Sequence, residues 1–198
     1  QRLKYLRRPP RGRRAWAASH ALTTAGIPTP KAFGFICVTH RGIPLHSYAI
    51  HEFLSDATPA RRWIKAHLHR QTAEFRKRFS AQLLEALKTL YRLRIYHADT
   101  KTSNVLVRHP SDPSARVFYW IDLDSMSFNC PPTRRRILRN LVQLNGSIGA
   151  KLPDEDRLAF LHGLPDIAPW VTEPWVVNHI QTQTMIRLTR ELRGECGP

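Results

Sequence analysis

The sequence has no long hydrophobic run and few cysteines, and each absence excludes a class of protein. No stretch of eighteen or more apolar residues occurs, and the residues after Gln1–Lys4 lack the apolar core of a signal peptide. We therefore expect neither a membrane span nor a signal peptide. Cys37, Cys130 and Cys196 form no CxxC pair, so we expect reduced thiols in a cytoplasmic protein, either soluble or peripheral at a membrane.

Acidic residues are also scarce. The chain has 31 Lys and Arg against 15 Asp and Glu, a formal net charge of +16, and no acidic residue precedes Glu52. This balance favours anionic partners, namely phosphorylated lipid, a membrane surface or nucleic acid, without choosing among them. With 198 residues and 42% hydrophobic content, the chain is long and apolar enough to bury a core.

Turn signals and hydrophobic periodicity predict the order of the elements. We expect a helix over residues 13–25 that ends at Gly26, and strands over residues 32–39 and 47–54 around the turn Arg41-Gly42. Thr58 should cap a short helix with Pro59 at its first position. The remaining predictions are a long helix ending near residue 94, strands over 105–107 and 117–121, and helices over 133–148, 154–161 and 173–192. Strands followed mainly by helices indicate an α+β chain, with a small sheet docked on a larger helical body.

Residues 97–104 carry the spacing H-x-D-x-K-x-x-N of a kinase catalytic loop, between the long helix and a strand. Phosphoryl transfer needs a carboxylate beside the attacking hydroxyl, a cation near the transferred group and an oxygen ligand for Mg²⁺. Asp99, Lys101 and Asn104 supply one of each, and His97 should hold the loop without touching substrate. ATP and Mg²⁺ are the cofactors that this motif predicts.

A second metal ligand is expected at Asp122, which ends a strand where the aspartate of a kinase D-F-G motif should fall. Leu123-Asp124 replaces Phe-Gly, so the match is limited to Asp122, and Asp124 is either a further metal ligand or a structural acceptor. Upstream, residues 48–54 resemble a strand that runs into a hinge, where backbone groups near Glu52 would bind adenine. An ordinary edge strand is the alternative.

With these residues in hand, the chain resembles the lipopolysaccharide core kinases, a Kdo- and heptose-kinase-like family of bacteria with the protein-kinase fold. The resemblance covers residues 1 to about 165 and is carried by residues 14–16, 25–30, 48–54, 121–124 and 134–145. It implies a truncated N-lobe and hinge over residues 1–54, with a small sheet and one helix, and a mainly helical C-lobe over residues 55–198. It also implies ATP- and Mg²⁺-dependent phosphorylation of a sugar hydroxyl of lipopolysaccharide core, at the inner face of the inner membrane.

Two features depart from this family. No G-x-G-x-x-G loop precedes the first helix, so the chain looks truncated at its front. The resemblance places Lys4 where an N-lobe lysine pairs with the ATP phosphates, although Lys4 can also be a simple solvated cation. The helix glutamate that would pair with such a lysine is absent, and Ala15 stands in its place. This absence favours a pseudokinase.

Other functions remain open from the sequence. A small-molecule kinase of the aminoglycoside type or an atypical protein kinase is one alternative, although no long activation segment ending in Ala-Pro-Glu separates Asp124 from Arg134. A weakly active pseudokinase that binds anionic lipid or nucleic acid is another. Two arginine groups should hold the protein against anionic lipid or glycolipid phosphates, unless they form only a solvated basic face: Arg7, Arg8, Arg11, Arg13 and Arg14, and Arg134, Arg135, Arg136 and Arg139.

Overall fold

The first element of the described residues is a helix that packs on a β-hairpin. In the computed structural model, which describes residues 8–148 and 152–193, α1 (Arg11–Thr24) is followed by β1 (Ala32–His40) and β2 (Ile43–His51). Gly26 has a φ of 70°, and its N–H donates to the Thr23 carbonyl at 3.1 Å. This left-handed glycine closes the helix by a Schellman motif, which confirms the predicted stop.

The hairpin turn sets where the second strand begins. Arg41 and Gly42 both have positive φ angles, 49° and 76°, which is typical of a two-residue type I′ turn. Because such a turn resumes the strand ladder at once, β2 begins at Ile43 and ends at His51. The predicted strand over residues 47–54 was therefore wrong at both ends, and Glu52 lies just beyond the strand.

The remainder is mainly helical, with two small sheets. Its elements are β3 (Ala57–Pro59), α2 (Ala60–His67), α3 (Ala73–Arg92), β4 (Tyr96–His97), β5 (Val105–Arg108), β6 (Val117–Trp120), β7 (Met126–Ser127), α4 (Arg134–Ile148), α5 (Asp154–His162) and α6 (Pro174–Leu192). The antiparallel order β3-β5-β6 forms one sheet, and β4 pairs with β7. Thr58 pairs with Val107 in β3, so the predicted Thr58 helix cap was wrong and α2 starts after Pro59.

Helix α3 supplies much of the core. Phe79, Leu83, Leu87 and Leu90 are almost fully buried, as the helical periodicity predicted, and the α+β arrangement is confirmed. Among the described residues, no helix is both long and apolar enough to span a membrane.

Some sequence predictions concern residues that the structure does not describe. Lys4, Arg7 and Cys196 lie outside the described residues. Cys37 and Cys130 are free thiols, each partly buried.

Candidate active site

A buried histidine joins the two halves of the site. His97 is 1% exposed, and its Nε2 lies 3.1 Å from the Ile121 carbonyl oxygen, while its Nδ1 accepts the Asp99 N–H at 3.2 Å. Nδ1 must therefore be unprotonated, so the ring is neutral and Nε2–H donates to Ile121. Burial lowers the pKa of His97, which agrees with this state. The ring thus ties the loop that carries Asp99 to the residue before Asp122.

The polar side chains predicted from the sequence converge at this point. The Asn104 Nδ2 atom lies 2.9 Å from Asp99 Oδ2 and 3.3 Å from Asp122 Oδ2, and Lys101 Nζ lies 2.7 Å from Asp99 Oδ2. The structure therefore brings Asp99, Lys101, Asn104 and Asp122 together. Carboxylate and amide oxygens are the ligands that Mg²⁺ prefers, so Asn104 and Asp122 could hold such an ion.

A Mg²⁺ ion at this site does not need all of its ligands from the protein. In the described part of the chain, no group of three or more His, Cys, Asp and Glu side chains is arranged to hold a metal ion. Mg²⁺ in kinase sites is usually held by one or two carboxylates together with substrate phosphates and water. The Asn104 and Asp122 pair fits that sparser arrangement.

Asp122 is held in an unusual backbone conformation and among like charges. Its φ and ψ are 59° and 50°, in the left-handed region, where strain is tolerated mostly at functional positions. Burial raises the pKa of Asp122, and the neighbouring carboxylates of Asp124 and Asp99 raise it further. A bound cation would relieve this repulsion.

Asp124 contacts the first helix. Its carboxylate is 9% exposed and accepts from Arg11 Nε at 2.5 Å, with Arg14 Nη2 at 3.6 Å. Of the two roles considered from the sequence, this geometry is that of a structural acceptor. The metal-ligand role of Asp124 stays a prediction.

A cleft of about 710 Å³ lies between the first helix, the hairpin and the Asp122 turn. Ala15 lines this cleft together with Glu52, Leu54 and Asp122. The Glu52 N–H already donates to the Lys31 carbonyl at 2.8 Å, and the Glu52 carboxylate accepts the Lys31 N–H at 3.3 Å. Any hinge contact to adenine must therefore come from other backbone groups near Glu52.

Sequence reasoning missed a set of buried polar side chains on α4 that hold the predicted catalytic loop, residues 97–104. Gln143 Nε2 donates to the Ala98 carbonyl at 2.8 Å, and Gln143 Oε1 accepts both the N–H and the Oγ1–H of Thr100 at 3.0 Å. One side chain thus bonds both neighbours of Asp99.

Asn140 and Ser147 extend this contact along α4. The Asn140 side-chain amide donates to the His97 carbonyl at 2.9 Å and accepts from the buried Tyr91 hydroxyl at 3.0 Å. Ser147 Oγ accepts the Thr102 N–H at 2.9 Å. We call Asn140, Gln143 and Ser147 the α4 ladder. The signal in the sequence was polar residues at helical spacing among the buried Ile137, Leu141 and Leu144.

Comparisons with known proteins found one family model and solved structures that match this chain. The model of the lipopolysaccharide kinase (Kdo/WaaP) family matches residues 2–163. A solved structure described as WaaP in complex with acyl carrier protein matches with a TM-score of 0.67 and 19% sequence identity, over 87% of this chain and 76% of that one. No curated protein matches. At this identity the structural likeness shows the fold, and the family model carries the relationship.

Proposed function

The chain belongs to the lipopolysaccharide kinase (Kdo/WaaP) family and is a kinase, and from that premise we propose that it transfers a phosphoryl group from ATP, with Mg²⁺, to a sugar hydroxyl of lipopolysaccharide core. The observation that carries the proposal is that the Asn104 side-chain amide lies within 3.3 Å of the carboxylates of both Asp99 and Asp122. These are the carboxylate and oxygen ligands that phosphoryl transfer requires, in one place.

Each side chain has a distinct proposed role. Asp99 accepts the proton of the attacking hydroxyl, and Lys101, already paired with Asp99, offsets negative charge on the transferred group. Asn104 and Asp122 hold Mg²⁺ against the nucleotide phosphates, with Asp124 as a further candidate ligand. His97, neutral and buried, keeps the two metal-binding segments in register.

The nucleotide would lie in the cleft beside Asp122, whose volume of about 710 Å³ is within the range of ligand pockets. In this proposal residues 1–54 form the N-lobe and hinge, and residues 55–198 form the C-lobe. Lys4 remains the proposed partner of the ATP phosphates. Ala15 cannot orient that lysine as a glutamate would, so the contact of α1 with the site runs through Arg11 and Asp124 instead.

Substitutions of the two aspartates test the reaction. Asp99→Ala should lower kcat by about 10²- to 10⁴-fold and leave nucleotide binding largely intact, because the proposed metal ligands Asn104 and Asp122 remain. Asp122→Ala should instead weaken Mg²⁺-dependent ATP binding. Asp166→Ala is the matched control, since its ion pairs with Lys88 and Arg92 lie on the surface.

Three results would contradict the proposed function or the role of Asp99. Equal turnover of wild type and Asp99→Ala would exclude Asp99 as the proton acceptor. Nucleotide binding by the wild-type protein without transfer to any sugar acceptor would favour the pseudokinase alternative. Transfer to an aminoglycoside or a peptide, but not to lipopolysaccharide core, would move the function to one of the other kinase classes.

We also propose that the basic surface formed by the two arginine groups predicted from the sequence holds the protein at the inner face of the inner membrane. Each Lys or Arg near an anionic leaflet contributes roughly 1 kcal/mol, so a few acting together suffice for reversible attachment. Such binding should weaken as salt rises, because the Debye length falls from about 10 Å at 0.1 M to about 3 Å at 1 M. Co-sedimentation with anionic vesicles across this range, beside a duplex-DNA competitor, measures it. Salt-insensitive binding, or a preference for DNA, would contradict the proposal.

A further inference from the structure

Helix α4 begins with an unusual concentration of positive charge. Arg135 and Arg136 lie in the first turn of this 15-residue helix, which contains no acidic residue, and Arg139 lies one turn further along. Cations at a helix N-terminus oppose the helix dipole, and the like charges of Arg135 and Arg139 at i and i+4 repel each other. None of the three forms an ion pair within the described ranges.

The preceding arginine differs from these three. The Arg134 guanidinium lies 4.8 Å and 4.4 Å from the ring centroids of Trp170 and Trp175, so aromatic faces compensate its charge. Within the described residues, Arg135, Arg136 and Arg139 have no comparable acidic or double-aromatic environment. Arg136 Nη1 donates to the Pro131 carbonyl at 2.8 Å, and the net positive charge of the three is left for a ligand or for solvent.

Tyr96 provides a second and independent observation. The residue is only 9% exposed, and the Arg136 guanidinium lies 5.4 Å from its ring centroid. The Tyr96 hydroxyl has no hydrogen-bond partner in the described part of the chain. Burial raises the pKa of Tyr96, and the positive charges of Arg139, Arg136 and Arg135 oppose that rise. The Tyr96 ring thus lies beside a guanidinium that has no acidic partner in the described part of the chain.

This cluster lies beside the catalytic loop. Tyr96 directly precedes His97 in β4, and one turn beyond Arg136 the Asn140 amide donates to the His97 carbonyl. The next residue of the α4 ladder, Gln143, bonds Ala98, which precedes Asp99. Hydrogen bonds to the backbone therefore connect α4 to the loop that carries Asp99.

We propose that Tyr96, Arg135, Arg136 and Arg139 form a subsite for a phosphate group carried by the acceptor. Guanidinium groups bind phosphate with paired charge-assisted hydrogen bonds, and the Tyr96 hydroxyl would donate one more. The subsite anchors the acceptor by a group that does not react, while a neighbouring sugar hydroxyl approaches Asp99. This inference rests on the proposed function.

The test compares acceptor kinetics of charge-neutralised variants. With lipopolysaccharide core as the acceptor, Arg135→Gln/Arg139→Gln should raise the KM for acceptor about tenfold or more, as expected for lost charge-assisted bonds, and leave the KM for ATP unchanged. Tyr96→Phe should raise the acceptor KM less. The control Arg61→Gln/Arg62→Gln removes the same charge from exposed positions on α2 and should change neither value.

Removing the acceptor phosphates with hydrogen fluoride tests whether the double variant acts through a phosphate contact. The wild-type protein and the double variant should then have the same acceptor KM. A difference that persists on this acceptor, or an equal loss in the control variant, would overturn the subsite. So would a double variant that loses binding to vesicles of phosphatidylcholine and phosphatidylglycerol but keeps its acceptor KM, because the ligand would then be a lipid headgroup.

A failure of the proposed function would look different. If the wild-type protein transfers no phosphate to lipopolysaccharide core, equilibrium dialysis with the intact and the dephosphorylated core still measures the subsite. Wild type should retain the intact core more strongly than the double variant does, by about tenfold in Kd. Equal retention by both proteins would overturn the subsite independently of catalysis.

Discussion

Replacing Gln143 by Leu would remove the side chain that bonds both neighbours of Asp99. The substitution leaves the Ala98 carbonyl and the Thr100 N–H without their partner, and it leaves the Thr100 hydroxyl only the Asn140 carbonyl at 3.5 Å. In this region Gln143 is 7% exposed and Thr100 is fully buried. Each such bond contributes about 0.5–1.5 kcal/mol net, so the three together amount to about 1.5–4.5 kcal/mol of unfolding free energy. For a chain of this size, each kcal/mol shifts Tm by about 2–4 °C, so a loss of about 3 kcal/mol predicts a fall of roughly 6–12 °C.

The same change should affect catalysis more than nucleotide binding. Gln143 does not line the cleft beside Asp122, so the KM for ATP should change little, while a misplaced Asp99 should lower kcat by at least about tenfold. Gln143→Glu keeps an acceptor for Thr100 but cannot donate to Ala98 when ionised, and it should lie between wild type and Gln143→Leu in kcat.

Thermal unfolding and transfer of labelled phosphate to lipopolysaccharide core measure the two effects. Gln183→Leu, at an exposed position of α6, is the matched control and should stay within about 0.5 kcal/mol of wild type. If Gln143→Leu unfolds and turns over like this control, the α4 ladder does not position Asp99.

Three further perturbations follow from the structure. Gly12→Ala would place a Cβ 2.5 Å from the Tyr48 carbonyl oxygen and should destabilise the protein by about 1–3 kcal/mol. Gly34→Ala is the control, because an added Cβ there meets open space, and urea unfolding compares the two variants. Asp122→Asn should abolish metal-dependent activity yet raise the Tm of the metal-free protein at pH 7, because the raised pKa of Asp122 means that its ionised carboxylate opposes folding. Wild type and Asp122→Asn should unfold alike below about pH 3.9, where the carboxyl is protonated in both the folded and the unfolded state. An unchanged Tm at pH 7 would contradict the repulsion among the carboxylates. Because the pKa of His97 is lowered in the folded protein, the unfolded chain takes up a proton below about pH 6.5 that the folded chain does not. The free energy of unfolding should therefore decline by up to about 1.4 kcal/mol per pH unit until the folded pKa is reached. Unfolding measured at stepped pH should show a flatter slope for His97→Gln than for wild type.

Local interactions determined what the sequence revealed. The stop at Gly26 and the apolar face of α3 depend on residues within one or two helical turns, so their spacing was sufficient to predict them. The same is true of the proximity of Asp99 and Asn104 in the predicted catalytic loop, because they lie five positions apart and the short turn between them brings their side chains to 2.9 Å.

Only the tertiary structure decided the contacts between distant segments. Arg11 meets Asp124 across 113 positions of chain, so the sequence alone left the role of Asp124 open. Strand β3 exists because it pairs with β5, and its three residues are too short to show a period of their own. The α4 ladder was likewise hidden, since a buried Gln143 is stable only where the backbone on each side of Asp99 supplies its partners, and the packing of α4 against the catalytic loop provides them.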